Sequence, residues 1–216
     1  ILVYCEMNGP VVADVSLELL SEGRRLAGKL GVELEAVAIG CGLSAVGSQV
    51  YKYGVDRLHI FDDAKLEHYT TLPSAAILCK LIKDNDYQIF LLGATVTGRD
   101  LAPRITAELH CGLTADCTSL EVGPYEDKKQ GVVIENLLYQ SRPAFGGNIV
   151  ATIVNPYNRP QMATVREGVM KKEIVDVNYQ GKVIRHEVKN YVTDADFVVK
   201  ILERHIERAK HNLKDA

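Results

Sequence analysis

Four short apolar runs recur through the first half of the chain, separated by segments of helical periodicity. They cover residues 1–5, 34–39, 57–61 and 89–92, and each has the length and composition of a buried strand. The intervening segments favour helices over 44–53, 74–83 and 100–110, and a further helix that Asp14 caps and Gly31 ends. A pair of parallel strands needs a crossover connection, which is usually a helix. Strands that alternate with helices are therefore expected to be parallel.

The predicted fold class is therefore α/β, with a mostly parallel sheet and helices on both faces (Rossmann-like, adenine-nucleotide-hydrolase-like). Strand-like runs follow at 132–140, 148–154 and 174–177, and we expect them to extend this sheet with antiparallel pairs. After a cap at Thr193 or Asp194, a last helix is predicted from the spacing of five apolar residues: Val198, Leu202, Ile206, Ala209 and Leu213.

Composition excludes several classes of function. The 216 residues carry a formal charge of −3 without a basic block, so no nucleic-acid surface is expected. No apolar run approaches the roughly 18 to 20 residues of a membrane helix, so no membrane insertion is expected. The five scattered cysteines are typical of reduced thiols in the cytoplasm, or in the mitochondrial matrix of a eukaryote. The spacing of His110, Cys111 and Cys117 matches no usual zinc site, so no metal is predicted.

A glycine-bearing turn at residues 40–45 has the G-x-G-x-x-A spacing of a dinucleotide fingerprint, and Asp62 ends the next strand. In such a site, backbone amides bind the pyrophosphate and the carboxylate binds ribose hydroxyls. The helix that follows is short and contains Gly47, and the turn comes after the second strand instead of the first. A tight turn without a ligand is therefore the favoured interpretation.

A second segment, residues 93–100, joins the most apolar strand to a helix at the carboxyl end of the sheet. Ligands of open α/β folds bind at this edge. Thr95, Thr97 and Arg99 are the candidate contacts to a ligand or a partner, since hydroxyls and a guanidinium suit an anion. The alternative is that Asp100 caps its helix and pairs with Arg99 or Arg104. No G-x-x-x-x-G-K-[ST] motif of a phosphate-binding P-loop is present.

A third segment, residues 140–148, combines Arg142 with Phe145 and the adjacent glycines Gly146 and Gly147. Two neighbouring glycines let the backbone approach another surface or a flat ligand closely. The alternative is that this segment is a hairpin turn without a functional role. No catalytic constellation is visible in the sequence, which lacks both a G-x-S-x-G elbow and an H-E-x-x-H motif.

Four blocks in these regions resemble the α subunit of electron transfer flavoproteins in order and spacing. The likeness covers residues 1–176 and includes the segment S-E-G-R-R-L-A at 21–27. The blocks are G-A-T-V-T-G-R-D-L-A-P-R at 93–104, G-L-T-A-D-C at 112–117, R-P-A-F-G-G-N at 142–148 and R-P-Q-M-A-T-V-R at 159–166.

The resemblance implies that residues 1–190 form the amino-terminal domain of an α subunit, which docks on a homologous β subunit. Residues 191–216 would be a helix and linker leading to a carboxyl-terminal FAD domain that this chain lacks. The β subunit would hold FAD, or AMP in its place. Such heterodimers pass electrons between an acyl-CoA dehydrogenase or another dehydrogenase and acceptors, and some members split electron pairs from NADH between acceptors such as ferredoxin.

The resemblance also implies a role for the third segment. Arg142 would reach towards the flavin of the β subunit, with Phe145, Gly146 and Gly147 shaping the cavity, and Thr95, Thr97 and Arg99 would be secondary contacts. Arg142 pairing with Glu121 or Glu135 of its own domain is the alternative. The competing class of function is a free-standing dinucleotide-binding oxidoreductase or a nucleotide-hydrolysing α/β domain.

Overall fold

The structure, a computed structural model, describes residues 1–203. Single 3-10 turns lie at Leu43–Ala45, Tyr51–Tyr53, Ala64–Leu66, Phe145–Gly147, Val188–Asn190 and Asp194–Asp196. The strands and α-helices of this part follow in chain order: β1 Leu2–Cys5, β2 Met7–Asn8, β3 Val11–Val12, α1 Asp14–Leu30, β4 Glu35–Gly40, α2 Val46–Val50, β5 Arg57–Asp62, α3 Thr71–Asn85, β6 Ile89–Gly93, α4 Val96–Leu109, β7 Leu113–Cys117, β8 Ser119–Asp127, β9 Val132–Ala144, β10 Ile149–Ile153, β11 Gln161–Val165 and β12 Lys182–Arg185.

A seven-stranded sheet runs through the centre in the order β12-β5-β4-β1-β6-β11-β7. All of its pairings are parallel, which confirms the predicted α/β class. From β1 the chain first builds outward through β4 and β5, and it then places β6 on the other side of β1. The sheet therefore has a topological switch point between β1 and β6, where a crevice opens at the carboxyl ends of the strands.

Two hydrophobic cores cover the two faces of this sheet. Successive residues of β1 alternate between them: Val3 and Cys5 pack with α1, whereas Leu2 and Tyr4 pack with α3 and α4. This period of two is inherent to a strand. The four α3 residues predicted to face inward are all buried, as expected: Ile77, Leu78, Leu81 and Ile82.

The antiparallel strands are present, but they do not extend the central sheet. Strands β8, β9 and β10 pair with one another in a separate three-stranded sheet. Leu120 and Leu138 pack this small sheet onto the core that α1 covers. The predicted strand at 174–177 is wrong, since the Val175 amide donates to the Lys52 carbonyl, and no described strand pairs with this segment.

Helix starts also differ from their predicted positions. Helix α4 begins at Val96, because the Thr95 hydroxyl accepts a hydrogen bond from the Gly98 amide at 3.0 Å and caps the helix there. Asp100 is therefore not a cap. Its carboxylate instead accepts hydrogen bonds from Tyr69 and Thr71 at 2.5 and 2.6 Å. Asp14 is likewise the first residue of α1 and caps nothing, since the residue before it, Ala13, takes the cap position.

The predicted carboxyl-terminal helix is absent from residues 198–203, the part of it that the structure describes. Thr193 does make the expected capping contact, but only to a single turn, where its amide donates to Asp196 at 2.7 Å. Val198 and Leu202 are exposed, and a short helix without a packing surface is unstable. Ile206, Ala209 and Leu213 lie outside the described residues.

A chain of buried polar side chains joins β12 to the centre of the sheet. Tyr87 OH donates to Glu35 Oε2 at 2.5 Å, and His59 Nε2 donates to the same oxygen at 2.7 Å. The remaining nitrogen, His59 Nδ1, then accepts from His186 Nε2 at 2.8 Å, and His186 Nδ1 accepts from the Tyr191 hydroxyl at 2.9 Å. This arrangement satisfies both imidazoles in their neutral forms.

The network predicts a loss of stability in acid. Burial and the nearby His59 lower the pKa of His186 from its ordinary 6.5. The unfolded chain therefore binds more protons, so the free energy of unfolding falls as the pH drops below about 6.5. Burial acts to raise the pKa of Glu35, but hydrogen bonds from His59 and Tyr87 outweigh it and lower the pKa below 4.5, which adds a second loss in stronger acid. Urea unfolding at several pH values measures these losses. His186→Phe should remove the loss below about pH 6.5. A free energy of unfolding that does not change with pH in the wild type would contradict the prediction.

Candidate functional site

A cleft of about 740 Å³ lies at the topological switch point, at the carboxyl ends of β1 and β4 and the start of α4. Thr97 lines it, together with Glu6 and Glu67. Thr95 lies beside it, and its hydroxyl donates to Glu6 Oε2 at 2.5 Å. Because two carboxylates line this cleft, its electrostatics disfavour an anionic ligand such as a nucleotide.

The glycine-bearing turn at residues 40–45 borders the same cleft. Its backbone amides already have an acceptor: Gly42 and Leu43 donate to the Asp62 carboxylate at 2.8 and 3.0 Å. Gly42 adopts a left-handed conformation, with φ 75°, which explains the glycine. Asp62 thus binds the amides that a pyrophosphate would need. This geometry favours the tight-turn interpretation over dinucleotide binding.

The start of α4 approaches β6 unusually closely. A Cβ atom on Gly98 would lie 1.8 Å from the Gly93 carbonyl oxygen, so only glycine fits there. Next to it, Arg99 Nε donates to the Ala94 carbonyl at 2.8 Å, and its side chain is 63% exposed. The glycine therefore serves packing, while the neighbouring arginine is displayed at the edge of the sheet.

Three arginines surround one carboxylate at the carboxyl ends of β6, β11 and β7. Asp116 accepts from Arg166 Nε at 3.2 Å and Nη2 at 2.6 Å, and Arg99 Nη2 lies 3.6 Å away. The hydrogen bond to Arg166, and then the charges of Arg166, Arg99 and Arg142, lower the pKa of Asp116 against a smaller opposing effect of burial. We call Arg99, Arg142 and Arg166 with Asp116 the arginine cluster.

Arg142 differs from the other two arginines in having no hydrogen-bond acceptor among the described residues. It lies half-buried near the end of β9. The alternative pairing with Glu121 is not present, because that carboxylate contacts Arg25 at 3.0 Å and Lys29 at 2.6 Å. Glu135 is exposed, and no contact joins it to Arg142. The Arg142 guanidinium therefore retains its capacity to donate hydrogen bonds.

An open turn, Phe145–Gly147, follows Arg142 and joins β9 to β10. The Phe145 side chain is 85% exposed, and Gly146 and Gly147 have φ values of 72° and 90°. A Cβ atom on either glycine would meet no heavy atom within 4 Å. Val150, on the neighbouring edge strand β10, is also exposed, at 66%. The structure thus places Phe145, Gly146 and Gly147 together beside the arginine cluster, whereas Thr97 lines the cleft and Thr95 contacts Glu6 beside it.

The cysteines form no metal site. No group of three His, Cys, Asp or Glu residues within 1–203 could hold a metal ion. Burial raises the pKa of Cys117 to about 12, so its thiol is protonated, and Cys111 contacts the Met162 sulfur at 3.5 Å. No helix of the described region is long and apolar enough to cross a membrane.

Residues 1–191 match the family model of the electron transfer flavoprotein domain. The chain belongs to the electron transfer flavoprotein family. The α subunit of an electron transfer flavoprotein from Megasphaera elsdenii is 41% identical over 203 residues, and the protein FixB from Clostridium saccharobutylicum is 42% identical over 217. These alignments cover 94% and 99% of this chain and 57% and 59% of the two relatives.

A third relative is a subunit of a lactate dehydrogenase. The LctC subunit of lactate dehydrogenase (NAD(+),ferredoxin) from Acetobacterium woodii is 39% identical over 166 residues, which cover 77% of this chain and 37% of LctC. The chain thus spans less than two thirds of the length of each of these three relatives.

Two members of the arginine cluster, Asp116 and Arg166, were not predicted as site residues. Both lie inside the blocks that carry the family resemblance, at 112–117 and 159–166, so the signal for them was present. Their contact joins residues 50 positions apart, across two neighbouring strands, and no local pattern reveals it. Glu6, which binds Thr95, was missed for the same reason.

Proposed function

We propose that this chain is the docking part of an electron transfer flavoprotein α subunit and completes a flavin site on the β subunit. The observation that carries the proposal is Arg142, whose guanidinium has no described acceptor and lies beside the open Phe145–Gly147 turn. On this proposal, residues 1–190 are the domain that docks, and residues 191–216 lead towards an FAD-binding domain.

The residues present suit a flavin held by the partner. A guanidinium is planar, stays protonated at any working pH and can donate to a ring nitrogen or carbonyl. Gly146 and Gly147 leave open space where a flat ring can approach, and exposed Phe145 can pack against it. When bound, the flavin supplies the ring that accepts and releases electrons. FAD would occupy this place in some members and AMP in others.

The apolar surface beside this turn supports docking. Phe145 in the turn and Ile149 and Val150 on the edge strand β10 are all exposed, and an exposed apolar edge is a liability unless it is covered. A β subunit would cover this edge and bring its flavin next to Arg142. Obligate interfaces of this kind bury on the order of 2,000 Å² or more.

The electron donors and acceptors belong to the same proposal. Electrons would pass between a dehydrogenase, such as an acyl-CoA dehydrogenase, and further acceptors. The name of the LctC relative includes both NAD(+) and ferredoxin, which supports NADH and ferredoxin as partners in a bifurcating reaction. The competing function of a free-standing nucleotide-binding enzyme finds no support in the cleft, where Glu6 and Glu67 would repel phosphates.

Arg142→Ala is expected to lower the reduction potential of the β-subunit flavin. Reduction adds negative charge, which a fixed guanidinium stabilises, so its loss makes reduction less favourable. A hydrogen bond to a charged group contributes roughly 1.5 to 3 kcal/mol, which corresponds to roughly 65 to 130 mV for one electron. Redox titration of the purified heterodimer measures this potential.

Arg104→Ala is the matched control, because Arg104 lies on α4 and pairs with Glu108 at 3.7 Å, away from the arginine cluster. It should leave the potential unchanged. An unchanged potential in Arg142→Ala, with the heterodimer intact, would reduce Arg142 to a structural role and remove the main support for the proposed function.

A further inference from the structure

We propose that Asp116 is a positioning residue that acts through Arg99 and Arg166 and sets how much positive charge reaches the partner's flavin. The inference rests on the proposed function. The family resemblance implies a role for Arg142 and none for the Asp116 carboxylate.

The backbone of Asp116 has an unusual conformation. This residue has φ 62° within β7, at the point where the register between β7 and β11 shifts. A non-glycine residue in this region is uncommon and costs free energy, although aspartate and asparagine tolerate it best. The Asp116 amide donates to Thr164 Oγ1 at 3.0 Å, which fixes the irregular conformation. Such outliers concentrate at functional sites.

The Asp116 side chain holds two of the three arginines. The unusual backbone directs one carboxylate onto two arginines, with Arg166 bound through two nitrogens and Arg99 at 3.6 Å. A two-point contact fixes the orientation of a guanidinium as well as its position. Arg99 is held from its other side by the Ala94 carbonyl. Asp116 therefore keeps two cations in place, while Arg142 stays without an acceptor.

The positive and negative charges of the arginine cluster do not balance. Two guanidiniums contact one carboxylate and a third, Arg142, lies near enough to act on it, so the cluster carries a surplus of positive charge that Asp116 reduces. The charges of all three arginines act on this carboxylate, so each of them lies within its electrostatic reach. Removing the carboxylate would leave the arginines mutually repelling and uncompensated. A flavin next to Arg142 would then experience more positive charge and accept electrons more readily.

Asp116→Asn is the direct test, because asparagine tolerates the left-handed backbone and removes only the charge. In the heterodimer, we expect the reduction potential of the β-subunit flavin to rise, opposite to the shift expected for Arg142→Ala. A tenfold change in the ratio of reduced to oxidised flavin corresponds to about 59 mV for one electron.

A double variant separates charge from structure. Arg166→Gln alone should lower the potential, and combining it with Asp116→Asn removes one charge of each sign and should return the potential towards the wild-type value. A role confined to folding would change the melting temperature of these variants without this pattern of potentials. If Asp116→Asn does not assemble, Arg166→Gln alone keeps the inference testable: a lowered potential supports it, and an unchanged potential in the intact heterodimer would overturn it.

The outcomes distinguish this inference from the proposed function. A wild-type potential in Asp116→Asn, with Arg142→Ala still lowering it, would overturn the role of Asp116 and leave the flavin site intact. Equal potentials in the wild type, Asp116→Asn and Arg142→Ala would overturn both. A potential that rises in Asp116→Asn and returns in the double variant supports the inference.

Discussion

Gly98→Ala is expected to lower the free energy of unfolding by more than about 3 kcal/mol, beyond the usual cost of an overpacked core. The added Cβ atom would lie 1.8 Å from the Gly93 carbonyl oxygen and 3.0 Å from its carbon. Both atoms belong to the backbone of β6, a central and fully buried strand, so no side chain can rotate away. Helix α4 would have to move off the sheet.

The control for this substitution is Gly28→Ala. Gly28 lies inside α1, and a Cβ atom there would meet no heavy atom within 4 Å. Alanine should therefore stabilise that helix by up to about 1 kcal/mol. Urea unfolding followed by circular dichroism compares the two variants with the wild type. If Gly98→Ala unfolded at the wild-type urea concentration, the close helix–strand contact would be contradicted.

The Gly98 contact also affects the candidate site. The Gly98 amide donates to the Thr95 hydroxyl, and Arg99 is the next residue. A helix displaced at this point would carry Arg99 away from Asp116. The packing of α4 on β6 therefore positions one member of the arginine cluster.

The sequence predicts four of the seven strands of the central sheet, β1, β4, β5 and β6, because they are mostly buried and read as continuous apolar runs. It does not predict β7, β11 and β12. Residues 89–92 are the clearest case, since all five residues of β6 are buried. Segment 174–177 is also rich in branched apolar residues, but the strand predicted there is wrong. Its Ile174 and Val177 side chains are exposed, and a single backbone hydrogen bond joins Val175 to Lys52. Apolar composition alone does not show whether a strand finds a partner.

The residues at which helices begin could not be predicted for a different reason. Both Thr95 and Asp100 are good caps by residue type, and the geometry decides between them. Thr95 lies two residues after the end of β6, and Gly98 allows the close approach with which the helix begins at Val96. The candidate site has the same limitation, since Arg142 is recognisable in its motif, whereas the Asp116–Arg166 pair requires the register between β7 and β11.

Glu35→Ala is expected to destabilise the domain by about 3 kcal/mol, since two hydrogen bonds to a charged acceptor contribute roughly 1.5 to 3 kcal/mol each and some repacking recovers part of the loss. The Glu35 side chain is only 10% exposed, and it accepts from Tyr87 at 2.5 Å and from His59 at 2.7 Å. Removing the carboxylate leaves a buried hydroxyl and a buried imidazole N–H without this acceptor. The loss would extend along the chain to His186 and loosen β12 from the sheet.

Glu33→Ala provides a matched control, because Glu33 and Glu35 both form an ion pair with Arg57. The Glu33 side chain is 51% exposed, and exposed ion pairs contribute at most about 1 kcal/mol. Urea unfolding at pH 7 should therefore separate the two variants clearly. Glu35→Ala should also reduce the stability loss in strong acid, since one of the carboxylates with a lowered pKa is gone. Equal destabilisation by the two substitutions would show that the contact with Arg57, and not the buried network, accounts for the contribution of Glu35.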